Sequence, residues 1–272
     1  MTKKLLVRRH SGVTRVTHWI NVLALCLLLM SGLQIFNAHP ALYWGVKSNF
    51  DRPWLSIGAA EQAGRPEGVT KIAGHAFVTT GVLGWSGKAG AQSSVAFPGW
   101  ATVPSWRDLA TGRRWHFFFA WMFVINGFVY LATGLFGGHI RRDLWPSRAQ
   151  LAPRNLWHEI AAHAQLKFPK GEEARRYNVL QKLSYLVVAL VLLPLMVATG
   201  LTMSPGVDAG APWLLALFGG RQSARSIHFL TANLIVLFVI VHLVMVVLSG
   251  LWNNLRSMVT GRYAIDVEGE RA

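Results

Sequence analysis

Four stretches of this chain, roughly residues 17–37, 115–138, 180–202 and 228–251, are long and almost unbroken apolar runs. Each is close to the roughly 20 residues that an α-helix needs to cross the hydrocarbon of a bilayer. Backbone in lipid must satisfy its own N–H and C=O groups, so runs of this kind fold as transmembrane helices. The expectation is an all-α integral membrane protein: one domain over residues 1–272, built as a four-helix transmembrane bundle with a long periplasmic connection, residues 38–114, between helices 1 and 2. Each run ends on a small-residue pair before Leu: Ser31-Gly32, Thr133-Gly134, Thr199-Gly200 and Ser249-Gly250. Such pairs let helix backbones or a flat cofactor approach closely, and their recurrence raises an internal duplication without demonstrating one.

The first run is too long for a secretory apolar core and no small-x-small cleavage pattern follows it, so it is read as a span. Arg8-Arg9 ahead of it is read as the basic flank of a first membrane helix rather than a twin-arginine export signal. Five Lys or Arg in the first 17 residues and nine between 138 and 182 contrast with only Arg221 and Arg225 between 203 and 227. Basic loops stay inside, which puts both termini in the cytoplasm of a bacterial inner membrane. The connection 38–114 carries eight basic residues. It exceeds the length of about 60 residues above which translocation largely ignores charge, so it does not overturn that orientation.

Within this connection, Ile72 to Trp85 is apolar but too short to span, and is expected to re-enter the membrane or lie at its surface. Phe97-Pro98-Gly99-Trp100 reads as part of a turn-rich periplasmic cap. Asn155 to Leu166 has a helical period and reads as a short surface helix on the cytoplasmic side.

Lys and Arg outnumber Asp and Glu by 27 to 12. With 52% hydrophobic residues and twelve Trp, this excess suits anionic lipid headgroups and an aromatic interface belt. No basic-aromatic nucleic-acid module appears, and no nucleic-acid partner is expected. The single cysteine, Cys26, excludes an internal disulfide, a Cys-ligated iron–sulfur cluster and covalent C-x-x-C-H haem attachment. Inside an apolar run it reads as a small buried packing residue.

Ionisable residues inside membrane helices are costly and mark function. Here the spans hold almost none except histidine: His18 in the first, His116 opening the second, and His228 and His242 in the fourth. Fourteen residues of helix rise roughly 21 Å and fall about 40° short of whole turns, so His228 and His242 share one face near opposite membrane surfaces. Given the topology, His18 matches the depth of His242 on the cytoplasmic side, and His116 that of His228 on the periplasmic side. Neutral imidazole is a good iron ligand, and bundles hold cofactors through side chains converging from facing helices. Two noncovalent haems, one per pair, are the reading favoured over four polar packing histidines. His139, His158 and His163 read as solvated or lipid-facing, His10 and His39 as flanking the first span, and His75 as a spare ligand.

On these residues the chain resembles the bacterial cytochrome b561 and hydrogenase or formate dehydrogenase cytochrome b subunits, especially their thiosulfate-reductase-like branch. Thr17-His18-Trp19, Arg114-Trp115-His116 and the pair His228 and His242 look like the ligand pattern of that superfamily, over all four helices. Tyr177-Asn178-Val179-Leu180-Gln181-Lys182 is similar to the segment that approaches quinone in the formate dehydrogenase subunit. The long first connection departs from that subunit. The resemblance implies two b-type haems, quinone as substrate on the cytoplasmic side, and a periplasmic redox partner, often a molybdenum enzyme.

The start of the third helix carries Arg175, Arg176, Tyr177 and Asn178 to headgroup depth, where Asn178 and Gln181 become possible quinone contacts. A simpler role stands beside this one: Asn178 capping the helix and Gln181 facing headgroups. No nucleotide loop or catalytic grouping is present, so the chain reads as an electron-transfer subunit of a respiratory chain. Alternatives are a standalone quinol oxidoreductase with a small electron acceptor, or a transporter, for which Pro194 is the single hint of a broken helix. A cysteine replacing Gln92 is expected to react with an impermeant thiol reagent from the periplasm. Labelling only after cell lysis would reverse the orientation.

Overall fold

The computed structural model describes residues 2–62, 64–88, 90–138, 140–165 and 177–268. His139, Leu166, Arg175 and Arg176 lie outside them. Four helical segments are long and apolar enough to cross a membrane: Gly12–Phe36, Leu109–Phe136, Val179–Leu201 and Arg221–Leu248. All start earlier than hydropathy places them, because polar first turns are helical without being apolar. Asp108 shows how: its carboxylate accepts the Thr111 N–H at 3.0 Å, a helix cap that starts the second span seven residues before His116. That backbone hydrogen bond holds the Asp108 carboxyl below the usual carboxylate range. The cap therefore strengthens the helix start above the ordinary carboxylate pKa and is lost as pH falls through the lowered one.

The spans are polar or small inside and bulky outside. Thr17, Ala24, Ser31, Gln34, Asn126 and Thr199 are buried, whereas Leu23, Phe118, Trp121, Phe128, Val191 and Ile240 are exposed. Lipid solvates the large apolar faces, so close helix packing falls to small residues and hydrogen bonds. Cys26, expected to be buried, is on the exposed face. Ten of the twelve Trp are exposed, as residues with an apolar ring and a wet N–H are at a membrane interface.

The all-α expectation is corrected, since eight strands occur among the described residues. The chain forms two compact units, and each span contributes a segment to both. The first comprises Met1–Ile20, Ile125–Pro194 and Asn233–Ala272. In it the terminal strands β1 (Thr2–Arg8) and β8 (Arg262–Glu268) pair antiparallel, from Thr2 opposite Glu268 to Arg8 opposite Arg262. Helix α9 (Leu251–Thr260) ends on Gly261, whose φ of 80° turns the chain into β8. It is tied to α1 (Gly12–Phe36) by the Trp19 indole N–H donating to the Met258 carbonyl at 3.1 Å. The surface helix expected near 155–166 is α3 (Pro153–Ala164).

The third span begins as α4 (Val179–Val187), widens through a π-helical turn at Val188–Leu192, and continues as α5 (Leu193–Leu201). Pro194 explains the widening. It has no N–H for the Leu190 carbonyl and its ring crowds that oxygen, so the Leu193 N–H reaches five residues back to Val188. The helix bulges there without breaking.

The second unit comprises Asn21–Val124 and Leu195–Ala232. Its long connection is a β-structure. Strands β2 (Ala41–Leu42), β3 (Leu55–Gln62), β4 (Arg65–Ile72) and β5 (His75–Val78) form an antiparallel sheet, and β6 (Gly84–Ser86) pairs with β7 (Ser93–Val95). Ile72 to Trp85 is thus no re-entrant segment. Its apolar residues lie in short strands and the turns that join them, and the tight turn between β4 and β5 sits at Ala73 and Gly74, both with positive φ. Gly84, at φ 81°, lets β6 press on β3, since a Cβ there would lie 2.3 Å from the Gly58 carbonyl. The core is Phe36, Leu42, Leu55, Ile57 and Ala96, with Trp54 and Phe229 against it.

This β-structure is fastened to helix ends. The Ser223 hydroxyl accepts the Gly45 N–H at 2.7 Å, the Trp54 indole donates to the Ser226 hydroxyl at 2.9 Å, and Arg225 donates to the Ala41 carbonyl at 2.9 Å and to that of His39. Burial, and then the Arg225 charge, push the His39 imidazole down, so it stays neutral. Asn37 joins the end of α1 to the loop after β7. Its amide donates to the Phe97 carbonyl at 3.0 Å and accepts the Phe97 N–H at 2.8 Å. Asn37→Ala removes both partners of a buried peptide group, at a cost of roughly 1–3 kcal/mol per stranded group. Limited proteolysis should then cut residues 41–95 faster while the spans stay intact; an unchanged cleavage rate would show that Asn37 does not hold the loop.

Candidate functional site

The first unit brings His18 of α1 together with His242 of α8 (Arg221–Leu248), ring centres 6.4 Å apart and ring planes 64° apart. The second unit brings His116 of α2 (Leu109–Phe136) together with His228 of α8, also at 6.4 Å and 64°. The spacing suits a haem iron: two metal–nitrogen bonds of about 2 Å, each continued by about 1 Å to a ring centre, separate the centres by roughly 6 Å. Among the described residues no group of three or more His, Cys, Asp or Glu converges. Two imidazoles are what an iron needs when a porphyrin fills its other positions.

The second pair is held by small hydroxyl residues. The Ser31 hydroxyl donates to the Leu27 carbonyl at 2.6 Å and lies 3.1 Å from Nδ1 of His116. The Thr199 hydroxyl donates to the Leu195 carbonyl at 2.7 Å and lies 3.0 Å from Nδ1 of His228. Each hydroxyl has one proton and gives it to its own helix. Nδ1 is therefore the donor, and Nε2 is the unprotonated nitrogen that a metal can take. The adjoining glycines seat the rings: a Cβ on Gly32 or Gly200 would lie 3.4 Å from Cε1 of His116 or His228. The first pair has aromatic surroundings. His242 stacks on Phe238 at 5.9 Å, and His18 meets the edge of Trp19 at 5.4 Å. The Asn126 amide donates to the Thr17 carbonyl at 2.8 Å, joining α2 to α1 beside His18.

Asn178 and Gln181 form a reciprocal cap at the start of α4. The Asn178 side-chain carbonyl accepts the Gln181 N–H at 2.9 Å, and the Gln181 side chain accepts the Asn178 N–H at 3.4 Å. The Asn178 amide also lies 3.2 Å from Nε2 of His163. His163 thus belongs to a hydrogen-bonded corner of α3 and α4, not to an isolated solvated surface. His75 lies exposed on β5 opposite Ile72, in neither histidine pair.

Sequence reasoning missed the roles of Ser31, Thr199 and Phe238. The pairs Ser31-Gly32 and Thr199-Gly200 were visible as small residues, but nothing in the sequence says which ring each one faces.

An integral membrane helical protein whose spans bring together two histidine pairs belongs to the membrane cytochromes. More particularly, the chain belongs to the prokaryotic cytochrome b561 family, whose model matches residues 9–261. It is similar to the putative protein-methionine-sulfoxide reductase subunit YedZ1 of Azospira oryzae, with 26% identity over 242 residues, 88% of this chain and 90% of that protein. No solved structure matches. The chain is thus a multi-pass membrane subunit for haem electron transfer, and its cofactor is b-type haem.

Replacing one histidine should unmake one site only. His116→Ala and His228→Ala are expected to abolish the same redox transition, and His18→Ala and His242→Ala the other, read by redox titration of the optical spectrum. Partners that abolish different transitions would refute the pairing, and a loss on His75→Ala would restore the spare ligand.

Proposed function

We propose that the protein is a di-haem cytochrome b of the bacterial inner membrane that carries electrons between the quinone pool and a periplasmic redox enzyme. The observation that carries this reading is the repeat of one imidazole geometry, 6.4 Å and 64°, in two separate histidine pairs. His18, His116, His228 and His242 would hold the two haems, which would supply one-electron transfer between the pairs.

Quinone docks at the cytoplasmic start of the third span, with Asn178 and Gln181 as its polar contacts. The Gln181 carbonyl serves the cap, leaving its amide N–H groups to turn toward a quinone oxygen. Tyr177 beside them is half-buried, with its hydroxyl 3.4 Å from Nδ1 of His10. Both termini face the cytoplasm, where pairing of β1 with β8 holds them on one side. The β-structured connection 38–114 meets the partner in the periplasm. The Azospira relative is named as a subunit of a protein-methionine-sulfoxide reductase. By that likeness the partner here is a catalytic reductase, and by the superfamily resemblance a molybdenum enzyme, with electrons running from quinol to it. The likeness to a subunit also favours this reading over a standalone oxidoreductase.

Pyridine haemochrome analysis of the purified protein should give two extractable haems per chain; one haem, or covalent haem, would end the di-haem reading. Asn178→Ala and Gln181→Ala, checked for full haem content, should each raise the quinol concentration needed for half-maximal haem reduction by roughly two- to tenfold, the loss of one hydrogen bond. Parent rates and parent inhibitor affinity in both variants would move the quinone site elsewhere.

A further inference from the structure

We propose that Ser31 and Thr199 are positioning residues: their hydroxyls hold the His116 and His228 rings as Nδ1–H donors and so lower the reduction potential of the haem those histidines ligate, and of that haem alone. This rests on the di-haem reading above. Ser31 and Thr199 are both fully buried, so no water competes for the two ring nitrogens. An imidazole that gives away part of its N–H proton is a more basic ligand through its other nitrogen, and a more basic ligand favours ferric over ferrous iron.

The other pair supplies the internal control. His18 and His242 have the same ring separation and interplanar angle, yet among the described residues neither has a hydroxyl partner; their neighbours are Trp19 and Phe238. Ligand number and geometry are thus equal in the two pairs, while the groups behind the ligands differ. Gly32 and Gly200 lie under the two rings, where a Cβ would reach van der Waals contact with Cε1 at 3.4 Å.

The test is a redox titration of the full-length protein and of Ser31→Ala, Thr199→Ala and the double variant, with haem counted by pyridine haemochrome in each. Two haems per chain should remain. One midpoint potential is expected to move positive, further in the double variant than in either single one, with the other potential at its parent value. Ser31→Thr and Thr199→Ser keep a hydroxyl and should titrate like the parent. If the alanine variants lose haem, these conservative variants decide: parent potentials support the proposal, and a shift in either one overturns it. Unmoved potentials with two haems present, or both potentials moving together, would also overturn it. Fewer than two haems in the parent chain would instead count against the di-haem reading.

Discussion

The structure depends on the cost of a polar group in hydrocarbon. A buried ring nitrogen without a partner is expensive where no water can reach it, and two of the membrane histidines lie in a setting that answers that cost. For His116 and His228 the answer lies on neighbouring helices, in hydroxyls at 3.1 and 3.0 Å. His18 and His242 lie beside each other among the rings of Trp19 and Phe238. In both pairs the ring centres are 6.4 Å apart. The same constraint turns the spans inside out, with Thr, Ser, Asn and Gln buried and bulky apolar residues turned to lipid.

Hydropathy reveals the spans because lipid imposes a single rule on every residue it touches. The same rule draws attention to His18, His116, His228 and His242, since almost no other ionisable residue interrupts the runs. Helix starts are not legible this way. Asp108 and the glycines at 219 and 220 begin the second and fourth spans in polar sequence, where capping and turn geometry decide and apolarity does not. The connection between the first two spans was harder to read. Its strands are short, its apolar residues sit among glycines, and β5 is exposed along its whole length, so no alternation marks it as sheet. What holds it is long-range: Ser223, Arg225 and Ser226 lie more than 170 residues along the chain from the backbone and indole groups they bind. No local pattern carries that information. Asn178 was legible twice over, as a cap by its place before an apolar run and as a quinone contact by resemblance. The cap is what its side chain makes here.

The four small-residue pairs that close the apolar runs prove unequal. Ser31-Gly32 on the first span serves a histidine of the second, and Thr199-Gly200 on the third serves a histidine of the fourth, each with its hydroxyl on Nδ1 and its glycine under Cε1. One helix pair therefore repeats the other, hydroxyl for hydroxyl and glycine for glycine, as a duplicated helical hairpin would. The other two pairs serve packing and chain direction. A Cβ on Gly134 would meet Ile140 at 3.0 Å, and Gly250, at φ 111°, turns the chain from the fourth span into α9. The two that match are those that touch a metal-binding ring. The part the two helix pairs share is thus a hydroxyl at Nδ1 and a glycine under Cε1 of a histidine ring.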